Sequence, residues 1–110
     1  MMRIVTCDNI TDQPIKQGAM LHACAVSGAN ILRDMRETIT NTIGGQMTRY
    51  ETLLDQTIAR ALSTLGERAE QHGYDGVMDV KISHPTITQG AIEVVVAGTG
   101  FNYVSRQGNP

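Results

Sequence analysis

AIEVVVAGTGF, residues 91–101, is the stretch that decides the architecture. Side chains on a strand alternate between its two faces. Ile92, Val94 and Val96 therefore share one face, and Glu93, Val95, Ala97, Thr99 and Phe101 share the other. A strand that is apolar on both faces needs cover on both. One helix layer supplies one side, and a neighbouring subunit is the economical source of the other.

Upstream of it, Asp75-Gly76 marks a turn and VMDVKIS (77–83) reads as a strand, with Met78, Val80 and Ile82 on one face and Asp79 and Lys81 on the other. PTITQG (85–90) is the loop between the two strands. Before them runs the strongest helical pattern in the chain. Tyr50, Leu54, Ile58, Ala61, Leu62, Leu65 and Ala69 form a broad apolar stripe, opposed by Thr52, Gln56, Arg60, Ser63, Glu67 and Glu70. Thr48 and Glu51 have capping-box spacing, although a start one turn earlier fits too, and Gly73 is the stop. From Gln46 to His72 this is a helix of roughly 40 Å at about 1.5 Å per residue.

A shorter helix is expected over 31–43, with Leu32, Met35, Ile39 and Ile43 on one side and Asn30 as its cap. Gly44-Gly45 then makes a corner between the two helices; an anion-cradling loop would need a Walker pattern around it. At the N-terminal end, MRIVTC (2–7) reads as a short strand and Ile15–Val26 as a longer one. The small residues Ala19, Ala23 and Ala25 in that second strand signal the close approach of another element. The order strand, strand, helix, helix, strand, strand contains no repeating βαβ unit. It points to a single domain over residues 1–110, of α+β class and two layers, with a small, mostly antiparallel sheet packed against one long and one shorter helix.

Composition narrows the function classes. The 110 residues carry 9 Lys/Arg and 11 Asp/Glu, interspersed, for a formal charge of −2, so there is no basic stripe to meet nucleic-acid phosphates. No apolar run approaches the length of a membrane span. The opening MMRIVTCDNI lacks the apolar core of a signal peptide, which makes the cytoplasm the expected compartment and Cys7 and Cys24 reduced thiols. With no Trp and one Phe, the core has to be built from Leu, Ile, Val, Met and Ala, a composition that favours gaining stability by self-assembly. Nor is there an enzyme signature. No GxSxG or HExxH is present, and Gly98-x-Gly100 sits in a strand rather than ahead of a helix. Asp75, Asp79 and Glu93 are carboxylates of the kind that turns and strand faces routinely expose.

The one constellation with chemical character is LHAC, residues 21–24. His22 and Cys24 project from the same face of a strand and offer an imidazole and a soft sulfur, donors suited to a transition metal such as zinc or copper. Cys7, His84 or Asp79 are the available supplements. A zinc site wants three or four ligands, of which this strand offers two. The structural alternative is that both residues only fill space. His72, one residue before the helix stop, is placed to interact with the helix C-terminus.

SGANILRDMRETITNTIGGQMTRYETLLDQTIARAL (27–62), continuing to GYDGVMDVKIS (73–83) and VVVAGTGF (94–101), resembles the YbjQ-like family of small bacterial proteins. The resemblance is carried by Gly28-Ala29-Asn30-Ile31, Arg33-Asp34, Gly44-Gly45, Tyr50-Glu51, the long helix and the closing Gly98-Thr99. It implies a dodecin-like α+β subunit assembled as a homopentameric ring, in a family that is uncharacterised and labelled heavy-metal-binding. It also implies structural or interface duty for Asn30, Arg33, Asp34, Gly44, Gly45, Tyr50 and Glu51. The chain departs from the family pattern at Thr40-Asn41, where an Arg-Asp pair is expected, at Gln46, where an Arg is, and near Ala23-Cys24, where a Gly-acidic pair is. The resemblance implies little about activity; the function expected from the chain as a whole is a non-enzymatic binding module with inter-subunit sites for a metal or small ligand, and a scaffold ring that recruits another protein is the alternative. If Arg33 and Asp34 hold subunits together, replacing both with alanine lowers the assembly mass in native mass spectrometry; an unchanged mass removes them from the interface.

Overall fold

The computed structural model describes residues 2–27, 45–85 and 91–104, with the backbone alone at 45–50. Strands β1 (Arg3–Ile4), β2 (Ile15–Ser27), β3 (Gly76–Ser83) and β4 (Ile92–Tyr103) and helix α1 (Gly45–Gln71) make up the described fold. The four strands form one mixed sheet in the order β1-β3-β4-β2. The β1–β3 pair is parallel, and β4 runs antiparallel to both β3 and β2. The shorter helix expected over 31–43, together with Asn30, Arg33, Asp34 and Gly44, lies outside the described residues.

Helix α1 packs on one face of the sheet. Its buried spine runs at four-residue spacing through Thr57, Ala61, Leu65 and Ala69, flanked by the half-buried Leu53, Leu54, Ile58 and Leu62. The spine meets Leu21, Ala23 and Ala25 of β2 and Ile92, Val94 and Val96 of β4. Small residues on both sides let the helix come close, as the alanines of β2 foretold, except that Ala19 is exposed and instead donates its N–H to the Tyr74 hydroxyl at 2.7 Å. Thr57 interrupts the apolar spine and is fully satisfied. Its hydroxyl donates to the Leu53 carbonyl at 2.7 Å, which leaves Ser27 Oγ to donate to Thr57 Oγ1 at 2.6 Å.

The helix begins at Gly45, ahead of Thr48, so Thr48 lies inside the first turn and is not the N-cap. Its other end closes as the sequence requires. Gly73 has φ of 79°, its N–H bonds the Glu70 carbonyl at 3.0 Å, and the Tyr74 N–H bonds Ala69 at 2.9 Å. This pair of bonds is the Schellman closure, and the left-handed residue it needs is most cheaply a glycine. Tyr74 then lies across Gly100 and Gly18, occupying the space that a Cβ at either position would need.

The sheet's other face carries a second, smaller cluster. Phe101, Met78 and Ile10 are buried there, with Val5, Ile15 and Tyr103 packed around them, and Phe101 meets Tyr103 edge-to-face at 5.4 Å. The segment between β1 and β2 therefore covers part of the face that the sequence assigned to a neighbouring subunit. Arg3 fastens this cover, donating to Asp12 at 3.1 Å and to the Tyr103 hydroxyl at 3.1 Å. Those two bonds, Tyr103 first, raise the Arg3 pKa above its ordinary value.

In β3 the simple alternation fails. Asp79 has φ of 51°, and the register with β4 slips between Met78 and Lys81. The extra residue of this bulge turns Met78 to the far face and Val80 to the helix face, against the expectation that they share one. Asp79 N–H bonds Cys7 O at 2.7 Å and Val80 N–H bonds Val5 O at 3.1 Å, so the strand past β1 holds the bulge open. Leu65, fully buried, and Ile10 lie on opposite sheet faces. Leu65→Ala should cost about 2–5 kcal/mol and Ile10→Val about 0.5–1.5 kcal/mol in urea unfolding. The double variant should show the sum to within about 0.5 kcal/mol; a clear departure would mean the two clusters are one.

Candidate functional site

β2 is an edge strand, and its exposed face carries Met20, His22, Cys24 and Val26 in a line. His22 and Cys24 do share that face, as their spacing demands. The opposite side chains of the strand, Leu21, Ala23 and Ala25, anchor it beneath α1. Two arginines of α1 fix the backbone further: Arg68 donates to the His22 carbonyl at 2.6 Å and Arg60 to the Val26 carbonyl at 2.8 Å. The donors thus stand on a strand that the helix grips from its other side.

Across the sheet they fall into rows. His22 pairs with Ala97, which pairs with Lys81; Cys24 pairs with Val95, which pairs with Ser83. The immediate neighbours of both donors are therefore small or apolar. Met20, 73% exposed and two residues before His22, adds a thioether to the same face, which the sequence reading passed over because it looked only for imidazole, thiol and carboxylate. Beside them a shallow groove of about 240 Å³ is lined by Met20, Asp79, Lys81, Ala97, Gly98 and Thr99.

The supplements do not converge. Among the described residues no three His, Cys, Asp or Glu side chains come together to hold a metal. Cys7 and Cys24 are both free and exposed. Asp79 is engaged by Lys81 at 2.7 Å. His84 is exposed just past the end of β3. His72 sits at the helix end, its Nδ1 at 2.8 Å from the Arg68 carbonyl, the capping duty its position implied. The carboxylates also stand apart: Asp75 accepts the Tyr103 N–H at 2.8 Å, Asp79 belongs to the bulge, and Glu93 is buried with its interaction made. Of the interface candidates, Gly45 opens α1, Tyr50 lies in its first turns, and Glu51 is exposed.

A larger apolar groove of about 490 Å³ runs between α1 and the N-terminal strand, lined by Met2, Ile4, Ala59, Leu62 and Gly66 with Glu70 at its rim. No described helix is long and apolar enough to cross a membrane.

Among the described residues, an α+β domain with a four-stranded mixed sheet, one helix packed against it and an exposed imidazole–thiol pair is the class that these features define. A protein of unknown function of the DUF74 family from Pediococcus pentosaceus shares the fold, with a TM-score of 0.65 at 15% identity over 94% of this chain and 98% of that one. The chain belongs to the YbjQ family, whose model, described as "Putative heavy-metal-binding", matches residues 2–103. Its relatives include a UPF0145 protein of Methanosarcina acetivorans, 26% identical over 96% of this chain and 100% of that protein. A second, from Synechococcus sp. (strain JA-2-3B'a(2-13)), is 31% identical over 89% and 95%. The family is thus not confined to bacteria.

Lys81 titrates above its ordinary value because it hydrogen-bonds Asp79, with their charge attraction second. A raised lysine pKa stabilises the fold below the free lysine's pKa and loses that contribution as the pH rises through the raised value. Both groups are solvent-accessible, so salt weakens the pair. Asp79→Asn should bring the Lys81 titration, followed by NMR at Cε, back toward the ordinary lysine range; an unmoved titration would place the cause elsewhere.

Proposed function

We propose that the protein is a subunit of a dodecin-like homopentameric ring, a non-enzymatic binding module of the cytoplasm that takes a heavy-metal ion on the sheet face bearing His22 and Cys24, at the boundary between neighbouring subunits. The observation that carries this reading is the pairing itself: an exposed imidazole and an exposed thiol on one face of a strand whose other face is locked under a helix. The family's description as heavy-metal-binding supports the ligand class. The unfinished far face supports assembly: the chain's own cover reaches Phe101 and Met78, while Met20 and Val26 stay exposed and Val95 and Ala97 half-exposed. The helix supports it too. Thr57 stands over Ser27 at the end of β2, and residues 45–56 continue past it for about 18 Å at about 1.5 Å per residue.

Neither nucleic acid nor a membrane has a part in this reading. Native mass spectrometry of untagged protein tests it: a five-subunit mass carrying bound metal, with the metal lost and the ring kept in the His22→Ala/Cys24→Ala variant, supports the binding module. A ring that carries no metal after exposure to zinc and copper would leave only the scaffold role, and a monomer at micromolar concentration would remove the ring altogether.

A further inference from the structure

Resting on the metal-binding reading, we infer that the ion taken by His22 and Cys24 is a soft monovalent one of the copper(I) class, held by these two donors alone. Residues two apart on a strand have Cα atoms about 6.8 Å apart. Metal–nitrogen and metal–sulfur bonds of about 2.0 and 2.3 Å place the donor atoms about 4.3 Å apart in a linear arrangement. Two side chains leaning slightly toward each other span that gap without moving the backbone. Copper(I), a d10 ion that prefers thiolate, is content with two near-linear ligands. Zinc needs four ligands in a structural site, or three and a water in a catalytic one.

Met20 stands on the same face but cannot complete a three-donor site with both. Its Cα lies about 13.6 Å from that of Cys24 along the strand, farther than a thioether and a thiol can reach around one ion.

Charge agrees with the donor count. On binding, the Cys24 thiol loses its proton to solvent and the S–Cu bond forms, while the neutral imidazole contributes a lone pair. The thiolate and the monovalent ion cancel, leaving a neutral unit beside Val95 and Ala97, with Val26 and its cross-strand partner Glu93 next along the face. A divalent ion on the same two donors would leave a unit of net positive charge. The strand is also held still, since Arg68 bonds the His22 carbonyl and Arg60 that of Val26, which favours a donor pair set in place before the ion arrives.

Anaerobic titration of the full chain with copper(I), in competition with bicinchoninate, and with zinc(II), in competition with a chromophoric chelator, tests this. The expected result is one copper(I) per chain, bound more tightly than zinc and with release of one proton. Bound copper should protect Cys24 from iodoacetamide and leave Cys7 reactive. Cys24→Ser and His22→Ala should each lower copper(I) affinity by about 100-fold, the scale on which metal sites respond to a lost partner. Cys7→Ser should leave it unchanged, with circular dichroism confirming that every variant is folded. Zinc bound as tightly as copper(I) would overturn the inference while leaving the metal-binding module in place. So would full copper affinity in His22→Ala, since it would assign the ion to a sulfur alone. Absence of any bound metal would remove the module and this inference together.

Discussion

Strand β4 has to be covered on both sides, and the two sides are covered by different means. On one, Ile92, Val94 and Val96 lie under the spine of α1. On the other, Phe101 is sealed by Met78 and by Ile10 from the segment between β1 and β2, while Val95 and Ala97 stay half-exposed. The remaining architecture follows from this asymmetry. The bulge at Asp79 exists where the cover begins, because the Val5 and Cys7 carbonyls take its N–H groups and pull β3 out of register. Arg3 and Asp12 then tie the cover to Tyr103 at the end of β4. The part of the face left open is the part that displays His22 and Cys24.

Much of this was legible in the sequence, for physical reasons that can be named. The two-faced pattern of 92–101, the long stripe of 54–69 and the stop at Gly73 each repeat a signal over many residues or rest on a conformation only glycine takes cheaply. What escaped was set by contacts distant in sequence. No local pattern announces that Asp79 will take a positive φ, so Met78 and Val80 read as neighbours on one face when they belong to opposite clusters. The self-made cover by Ile10 comes from a polar stretch, DNITDQP (8–14), where a lone isoleucine carries no periodic signal. Thr57 was overlooked because a buried hydroxyl is legible only once its partner, Ser27, is known to face it.

The candidate site divides along the same line. That His22 and Cys24 share a face follows from strand periodicity alone. That their direct cross-strand partners are Ala97 and Val95, and that Cys7, His84 and Asp79 do not join them in a group of three donors, depends on register and on the bulge, neither of which spacing reveals. With no third His, Cys, Asp or Glu beside them among the described residues, the chemistry of the pair turns on the preferences of the ion rather than on the completeness of a cage. An edge strand is a sound place for such a pair, provided that its backbone does not move. Here α1 reaches across with Arg60 and Arg68 to two carbonyls of that strand, which also blunts the tendency of an open edge to recruit stray chains.

The scarcity of aromatic residues bears on the same point. The helix–sheet contact is built from Ala61, Ala69, Ala23 and Ala25, with Leu65 the one large apolar side chain of the helix that is fully buried among the described residues. Small side chains bring the layers close, and each removes little apolar area from water, at about 25 cal/mol per Å². A domain of this size has a narrow margin in any case. Within the proposed ring, burying Val26, Val95 and Met20 against a sibling would add the apolar area that one chain's core lacks. Stability would then depend on concentration, as it does for any fold completed by association. The same burial would move the His22–Cys24 pair from open solvent into a low-dielectric boundary. There a neutral metal–thiolate unit is tolerated, whereas a charged one would carry a desolvation cost. Assembly and the choice of ion are in this sense one electrostatic problem, since Val95 and Ala97, the direct cross-strand partners of the two donors, would be buried with them.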